Sequence, residues 1–216
     1  MKSIVTSISI LIFTLFISCK KSEKTVNSEK LIPNPKGNKI DSVEKPKMET
    51  DCDYSTMLSN PKTPKMAKEL FNNTAKLTDE PLDYFDYILN GNENEKKFYF
   101  RVITNSYKIS DGAYSEGLGS FGKEYIETHP EAFASFFDQT NCFNDNDLNT
   151  WAKIALLEFE IIDDHIENSK NEALVYGYCR KLINDSKKFP ESERKTISKF
   201  TTLLKNEWHQ FLLHID

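Results

Sequence analysis

Between residues 148 and 166 the chain carries an apolar pattern that only a helix gathers onto one side. Leu148, Ala152, Ala155, Phe159, Ile162 and Ile166 recur at alternating steps of four and three, the interval that returns a side chain to the same helical face. Trp151, Ile154, Leu157 and Ile161 widen this stripe until most of the circumference is apolar. A helix of that kind has to be covered from several directions. It is therefore predicted at the centre of a domain, with other helices packed around it.

The same periodicity recurs on both sides. Thr63-Pro64 reads as an N-cap and a proline at the first helical position, ahead of Met66, Leu70, Asn73 and Leu77 on one face. Pro81 opens a short helix with Leu82, Phe85, Ile88 and Leu89 inward and Gly91 as its stop. Asn92 and Glu95 form a capping box before Phe98, Val102 and Ile103. The run Phe98-Tyr99-Phe100-Arg101-Val102-Ile103 has strand propensity, but the cap and the helical neighbours favour helix. Tyr114, Leu118, Phe121 and Tyr125 line residues 113–128, and His129-Pro130 breaks that helix and starts another bearing Phe133, Phe136 and Phe137. Ser169 and Glu172 spell a second capping box. After Pro190 a last helix carries Ile197, Phe200, Leu204, Trp208, Phe211 and Ile215.

The fold class is thus all-α, with about eight antiparallel helices. Their short connections fit a helical bundle or an α-solenoid-like stack of hairpins. A scarcity of glycine, seven in the chain, agrees with helices rather than a turn-rich sandwich. The spacing of Tyr125 and Pro130 does not match the tetratricopeptide pattern, so no named repeat is assigned.

The N-terminal end is of a different kind. Lys2 precedes an uncharged apolar stretch over residues 4–17, 14 residues long. That suits a secretory signal and falls short of the ~20 residues that span a bilayer. The stretch closes on Phe16-Ile17-Ser18-Cys19, which resembles the lipobox of bacterial lipoproteins, with Phe16 standing where leucine is usual. The resemblance implies cleavage before Cys19, diacylglycerol on its sulfur and an acyl chain on its amine. Two or more chains are what stable attachment to a bilayer requires. Lys20 stands where an aspartate retains many lipoproteins in the inner membrane, and Lys20-Lys21 is unlike the acidic tracts used for surface display. The resemblance therefore implies an outer-membrane anchor facing the periplasm. Three segments follow: a signal peptide over 1–18, the lipidated cysteine with a disordered basic tether over 19–50, and a helical domain over 51–216.

Charge divides along the same boundary. Residues 20–50 hold eight lysines against five acidic residues, whereas from residue 51 onward the balance is −9. A basic tether suits anionic headgroups. The acidic domain lacks the concentrated positive surface that nucleic acid demands. With Cys19 acylated, Cys52, Cys142 and Cys179 remain. Cys179 lies in a helical pattern beside Tyr178 and Leu182 and reads as a small core residue. Cys52 and Cys142 lie in loop-like sequence and are the candidate disulfide in an oxidising compartment.

Several motifs fail on inspection. Gly117-Leu118-Gly119-Ser120-Phe121-Gly122 spells G-x-G-x-x-G, but it lies in a helical pattern without the preceding strand a dinucleotide site needs. Close helix–helix approach is the better use of these glycines. The nucleophile elbow fails because Leu118 takes the first glycine position around Ser120. Asp145, Asp147 and Asn149 imitate a calcium loop, yet Thr150 and Leu156 occupy its glycine and glutamate positions. A polar loop capping the central helix is expected instead. Glu158, Glu160, Asp163, Asp164, His165 and Glu167 cluster on one helix without a metal-binding histidine spacing, and His209 and His214 lie five apart. No catalytic, cofactor-binding or metal residue is assigned. The expectation is a lipid-anchored envelope protein, held to the bilayer through acylated Cys19, whose helical domain binds a protein partner without catalysis. The alternative is an envelope hydrolase built on the acidic and histidine cluster.

Overall fold

A computed structural model describes residues 52–76, 80–138, 142–163 and 168–215. The signal segment, Cys19 and the tether lie outside these residues, as do Asp164, His165 and Glu167 and the side chains of Asp163 and Ser169. Among the described residues there are nine α-helices and no strand. They are α1 (Ser55–Ser59), α2 (Lys65–Phe71), α3 (Phe85–Asn90), α4 (Glu93–Ser106), α5 (Gly112–Thr128), α6 (Pro130–Asp138), α7 (Asp145–Asp163), α8 (Asn168–Asp185) and α9 (Glu191–Ile215).

Local chemistry sets several of the ends. Pro64 is itself the residue before the first turn of α2, with extended ψ, so the helix starts one residue later than the proline rule suggests. Thr63 is buried rather than capping. α2 stops at Phe71, because Asn73 adopts a left-handed φ of 56°. Its N–H then reaches Leu70 O at 3.1 Å and that of Thr74 reaches Glu69 O at 2.8 Å, the paired bonds of a Schellman motif. Asn105 from α4 donates its amide to the carbonyls of Leu70 and Phe71 and so satisfies the same terminus. Pro81 sits in a 3-10 turn over Glu80–Tyr84 that leads into α3. Between α3 and α4 the capping box forms as read. Asn92 Oδ1 accepts from the N–H groups of Asn94 and Glu95, and Glu95 Oε2 accepts from Asn92 N–H at 2.8 Å. Gly91 is required there because a Cβ would stand 2.4 Å from Tyr87 O.

The run at 98–103 is helical. Phe98, Tyr99, Phe100, Val102 and Ile103 are all buried. One face of a helix cannot hide five such residues, and α4 does so because it is enclosed. α1, α2, α3 and α7 all pack on it. Phe100 stacks on Trp151 of α7 at 4.4 Å between ring centroids and on Phe136 of α6 at 4.1 Å. Trp151 Nε1 donates to Thr104 Oγ1 at 2.9 Å, so the buried indole is satisfied.

α7 is the hub. It lies against α5, α9, α8 and α4, and Leu148, Trp151, Ala152, Ile154, Ala155, Leu156 and Phe159 are buried along it. α5 approaches it over two glycines. A Cβ on Gly119 would come within 2.8 Å of Glu158 N and of Leu157 Cβ, and one on Gly122 within 2.4 Å of Ile154 Cγ2. The G-x-G-x-x-G run is thus a helix-packing seam. Neighbours in space are not only neighbours in sequence: α5 meets α7, α6 and α7 both meet α9, and α2 meets α4. A solenoid repeat contacts only its adjacent repeats, so the architecture is a helical bundle.

Candidate functional site

Of the acidic stretch singled out in the sequence, only Glu158 and Glu160 have described side chains. Glu158 and Glu160 are half-buried on α7, and burial raises the Glu160 carboxyl above its ordinary range. Neither lines the concavities around His129. Among the described residues no group of three His, Cys, Asp or Glu side chains could hold a metal ion. His209 and His214 are exposed on α9, the latter with Nδ1 2.7 Å from Gln210 O.

The calcium-like loop is occupied by structural work. Asn144 Oδ1 accepts from the N–H groups of Asn146 and Asp147, and Asp147 Oδ2 accepts from Asn144 N–H at 2.9 Å. That reciprocal pair caps α7, with Asn144 in the capping role, as the expected polar loop. Asp147 also takes a bidentate bond from Arg101 of α4, at 2.5 Å and 3.0 Å. The same guanidinium donates to Cys142 O and lies 4.5 Å over the Phe143 ring. Asp145 pairs with Lys199 of α9 at 2.5 Å. Arg101 was missed in the sequence, although a lone arginine inside a run of buried aromatics was the signal for it. Cys52 and Cys142 form a disulfide with Cα atoms 5.2 Å apart, and Cys179 is free and buried. Burial pushes the Cys179 thiol up to about 11.

Among the described residues, concave surface lies at the elbow where α5 turns into α6. Proline at 130 disfavours helical geometry at the residue before it. His129 adopts φ −130° and ψ 50°. Its N–H closes α5 on Tyr125 O at 2.9 Å, while its carbonyl accepts from Phe133 N–H at 2.9 Å to begin α6. The exposed imidazole stacks on Tyr125 and places Nδ1 2.7 Å from Thr128 Oγ1. Three concavities meet at this histidine.

The first is an apolar groove floored by Leu82, Phe85, Leu89 and Phe121, with Asp83, Asp86 and Glu124 on its margins. Leu89 and Phe121 were expected inward but are 40% and 47% exposed. Leu89 closes its helical stripe and Phe121 lies within its own, and among the described residues neither is covered by a further helix. The second is a cavity of about 220 Å³ between α3–α4 and α5–α6, whose wall includes Ile88, Lys96, Lys97, Tyr125 and Phe136. The third is open and mixed in charge, with Glu127, Glu131, Asp185 and Lys188 around it. Sequence reasoning used His129-Pro130 only as a helix break and did not anticipate that a break between two amphipathic helices leaves a cleft.

The fold and this surface define an all-α bundle with concavities gathered at one helix elbow. Compared with known families, curated proteins and solved structures, the chain gives no match.

Proposed function

We propose that this chain is a lipid-anchored cell-envelope protein whose helical domain binds a protein partner without catalysis. Acylated Cys19 would hold it to the outer membrane on the periplasmic face, with residues 19–50 as the spacer. The observation that supports the binding role is the groove at the elbow. Leu89 and Phe121 leave large apolar area in water beside Leu82 and Phe85, and burying such area on a partner is favourable by ~25 cal/mol per Å². The acidic margin of Asp83, Asp86 and Glu124 suits a partner segment that is basic and apolar, as does the net −9 of the domain. Complementary charge of this kind sets partner choice and encounter rate more than affinity.

Two experiments test the two halves. Replacing Cys19 by Ala should move the protein from the membrane fraction to the soluble fraction; unchanged fractionation rejects the anchor. Cross-linking the anchored protein in intact cells should yield a discrete adduct that disappears in Phe121→Asp. Persistence of the adduct in that variant rejects the groove as the binding surface.

A further inference from the structure

The second elbow cavity is chemically unlike the groove beside it. Its walls include Ile88, Leu89, Ala132 and Phe136, while Lys96 and Lys97 of α4 stand at its edge. Glu93, also in the wall, pairs with Lys96 at 3.4 Å. Lys97 is half-buried and makes no ion pair among the described residues. Glu95, the next acid along the helix, is engaged with the N–H of Asn92. A cationic group without an ion pair thus lines a space whose other walls are apolar in part, with His129 and Ser135 among the polar ones.

Tyr125 supplies an independent observation. Its side chain is 95% buried, at 5% exposure, and lines the cavity. Among the described residues its hydroxyl makes no hydrogen bond. Nor is it one of the sealed, unpaired polar atoms, which are Tyr54 Oη, Thr63 Oγ1 and Trp208 Nε1. The hydroxyl therefore keeps contact with solvent, on a side chain that lines both this cavity and the groove. With no protein partner, it is free to donate to water or to a ligand that displaces it. Burial raises the phenol above its ordinary range, so it stays protonated and able to donate.

We infer that this cavity binds a small organic carboxylate, with its apolar body between Ile88 and Phe136 and its carboxylate taking hydrogen bonds from Tyr125 and Lys97. An apolar space of ~150 Å³ is enough for a benzene ring, and about 220 Å³ leaves room for a carboxylate on such a ring. A carboxylate is an acceptor with two oxygens, matching two donors, and hydrogen bonds from a charged donor are the stronger kind. The carboxylate belongs either to a free acid or to the C-terminus of a peptide. Leu89, Tyr125 and His129 line both spaces, whereas Phe121 and the groove's acidic margin line the groove and take no part in this inference.

The test is isothermal titration of the purified full-length chain with phenylacetate, with its neutral isostere phenylacetamide, and with the tripeptide Gly-Gly-Phe bearing a free or an amidated C-terminus. Phenylacetate should bind about tenfold or more tightly than phenylacetamide, the effect of one charged hydrogen bond. Lys97→Gln should abolish that preference, and Tyr125→Phe should weaken the acid severalfold while melting near the wild-type temperature. Phe121→Asp should leave it intact, so a failure here and a failure of the groove are told apart. If the free-carboxylate tripeptide binds more tightly than phenylacetate, the ligand is a chain terminus; if it binds more weakly, the ligand is a free acid. Equal binding of acid and amide, no binding of either at roughly millimolar concentration, or a preference that survives Lys97→Gln overturns the inference.

Discussion

At the scale of single residues, the burial of Arg101 and of Cys179 has measurable consequences. Arg101 ties α4 to the start of α7 through Asp147 and to the disulfide loop through Cys142 O. Removing one partner of a buried pair strands the other charge, which costs ~3–5 kcal/mol when burial is complete. Asp147 retains the N–H of Asn144, so Arg101→Met should cost somewhat less, about 2–4 kcal/mol by urea denaturation. Adding Asp147→Asn should recover part of the loss, because the amide keeps an acceptor for Asn144 without a charge. A single variant as stable as wild type would show the pair to be idle.

Cys179 predicts a pH dependence. Burial pushes its thiol from an ordinary 9.0 up to about 11, with the Lys205 ammonium acting in the opposite sense. Burial likewise pushes Tyr114 from 10.0 up to about 12 against a hydrogen bond with Ser106. Between the ordinary and the raised values the unfolded chain has released protons that the folded chain still holds. Stability is therefore fully present below pH 9 and falls by ~1.4 kcal/mol per pH unit for each group, from 9 through about 11 for Cys179 and from 10 through about 12 for Tyr114. In Cys179→Ala the alkaline fall should begin about one pH unit later, near the ordinary value of Tyr114, in thermal melts taken across this range.

At the scale of elements, the glycines separate close packing from mere tolerance. Alanine in a helix is favoured over glycine by ~1 kcal/mol. On α8 a Cβ at Gly177 would meet nothing closer than an Arg180 nitrogen at 3.9 Å. Gly177→Ala should therefore stabilise by about 0.5–1 kcal/mol. On α5 a Cβ at Gly119 would press on backbone atoms of α7, and overpacking of that kind costs ~1–3 kcal/mol. Gly119→Ala should thus destabilise in spite of its propensity gain, and a higher melting temperature for it would mean that α5 and α7 separate freely.

Legibility followed the same division. Helices with a wide stripe or a complete cap, α4 and α7 above all, were readable because periodicity and capping are local properties. α1 was missed, since five residues give no period, and Asn73 was assigned to a face when its amide side chain suits a left-handed cap. The elbow was unreadable for a different reason. Whether Leu89 and Phe121 are covered depends on which helices come to lie beside α3 and α5, and that is fixed by tertiary packing. Lys97 and Tyr125 look like one more surface lysine and one more core aromatic until the cavity brings them together.

At the scale of the molecule, the Cys52–Cys142 disulfide spans 90 residues of sequence. It joins the turn before α1 to the segment that enters α7, so α1 through α6 lie inside the loop it closes. Cross-linking a loop of that length restricts the unfolded chain by ~4–5 kcal/mol in the chain-entropy account, and measured losses run ~2–5 kcal/mol. The Arg101 guanidinium grips the Cys142 carbonyl in the folded state, which keeps this segment docked without the covalent bond. Cys52→Ser with Cys142→Ser should therefore still fold, with its midpoint lowered by about 5–15 °C, taking ~2–4 °C per kcal/mol for a domain of this size. Reduction of the wild-type protein, verified by counting thiols, should reproduce that shift, and an unchanged midpoint would remove the bond from any role in stability. Because the disulfide and Arg101 hold the same segment, their losses should not add. Once the bond is gone, Arg101→Met should cost more than it does in the cross-linked protein, by about 0.5–3 kcal/mol of coupling. Strict additivity in that cycle would show the two devices to be holding the start of α7 independently.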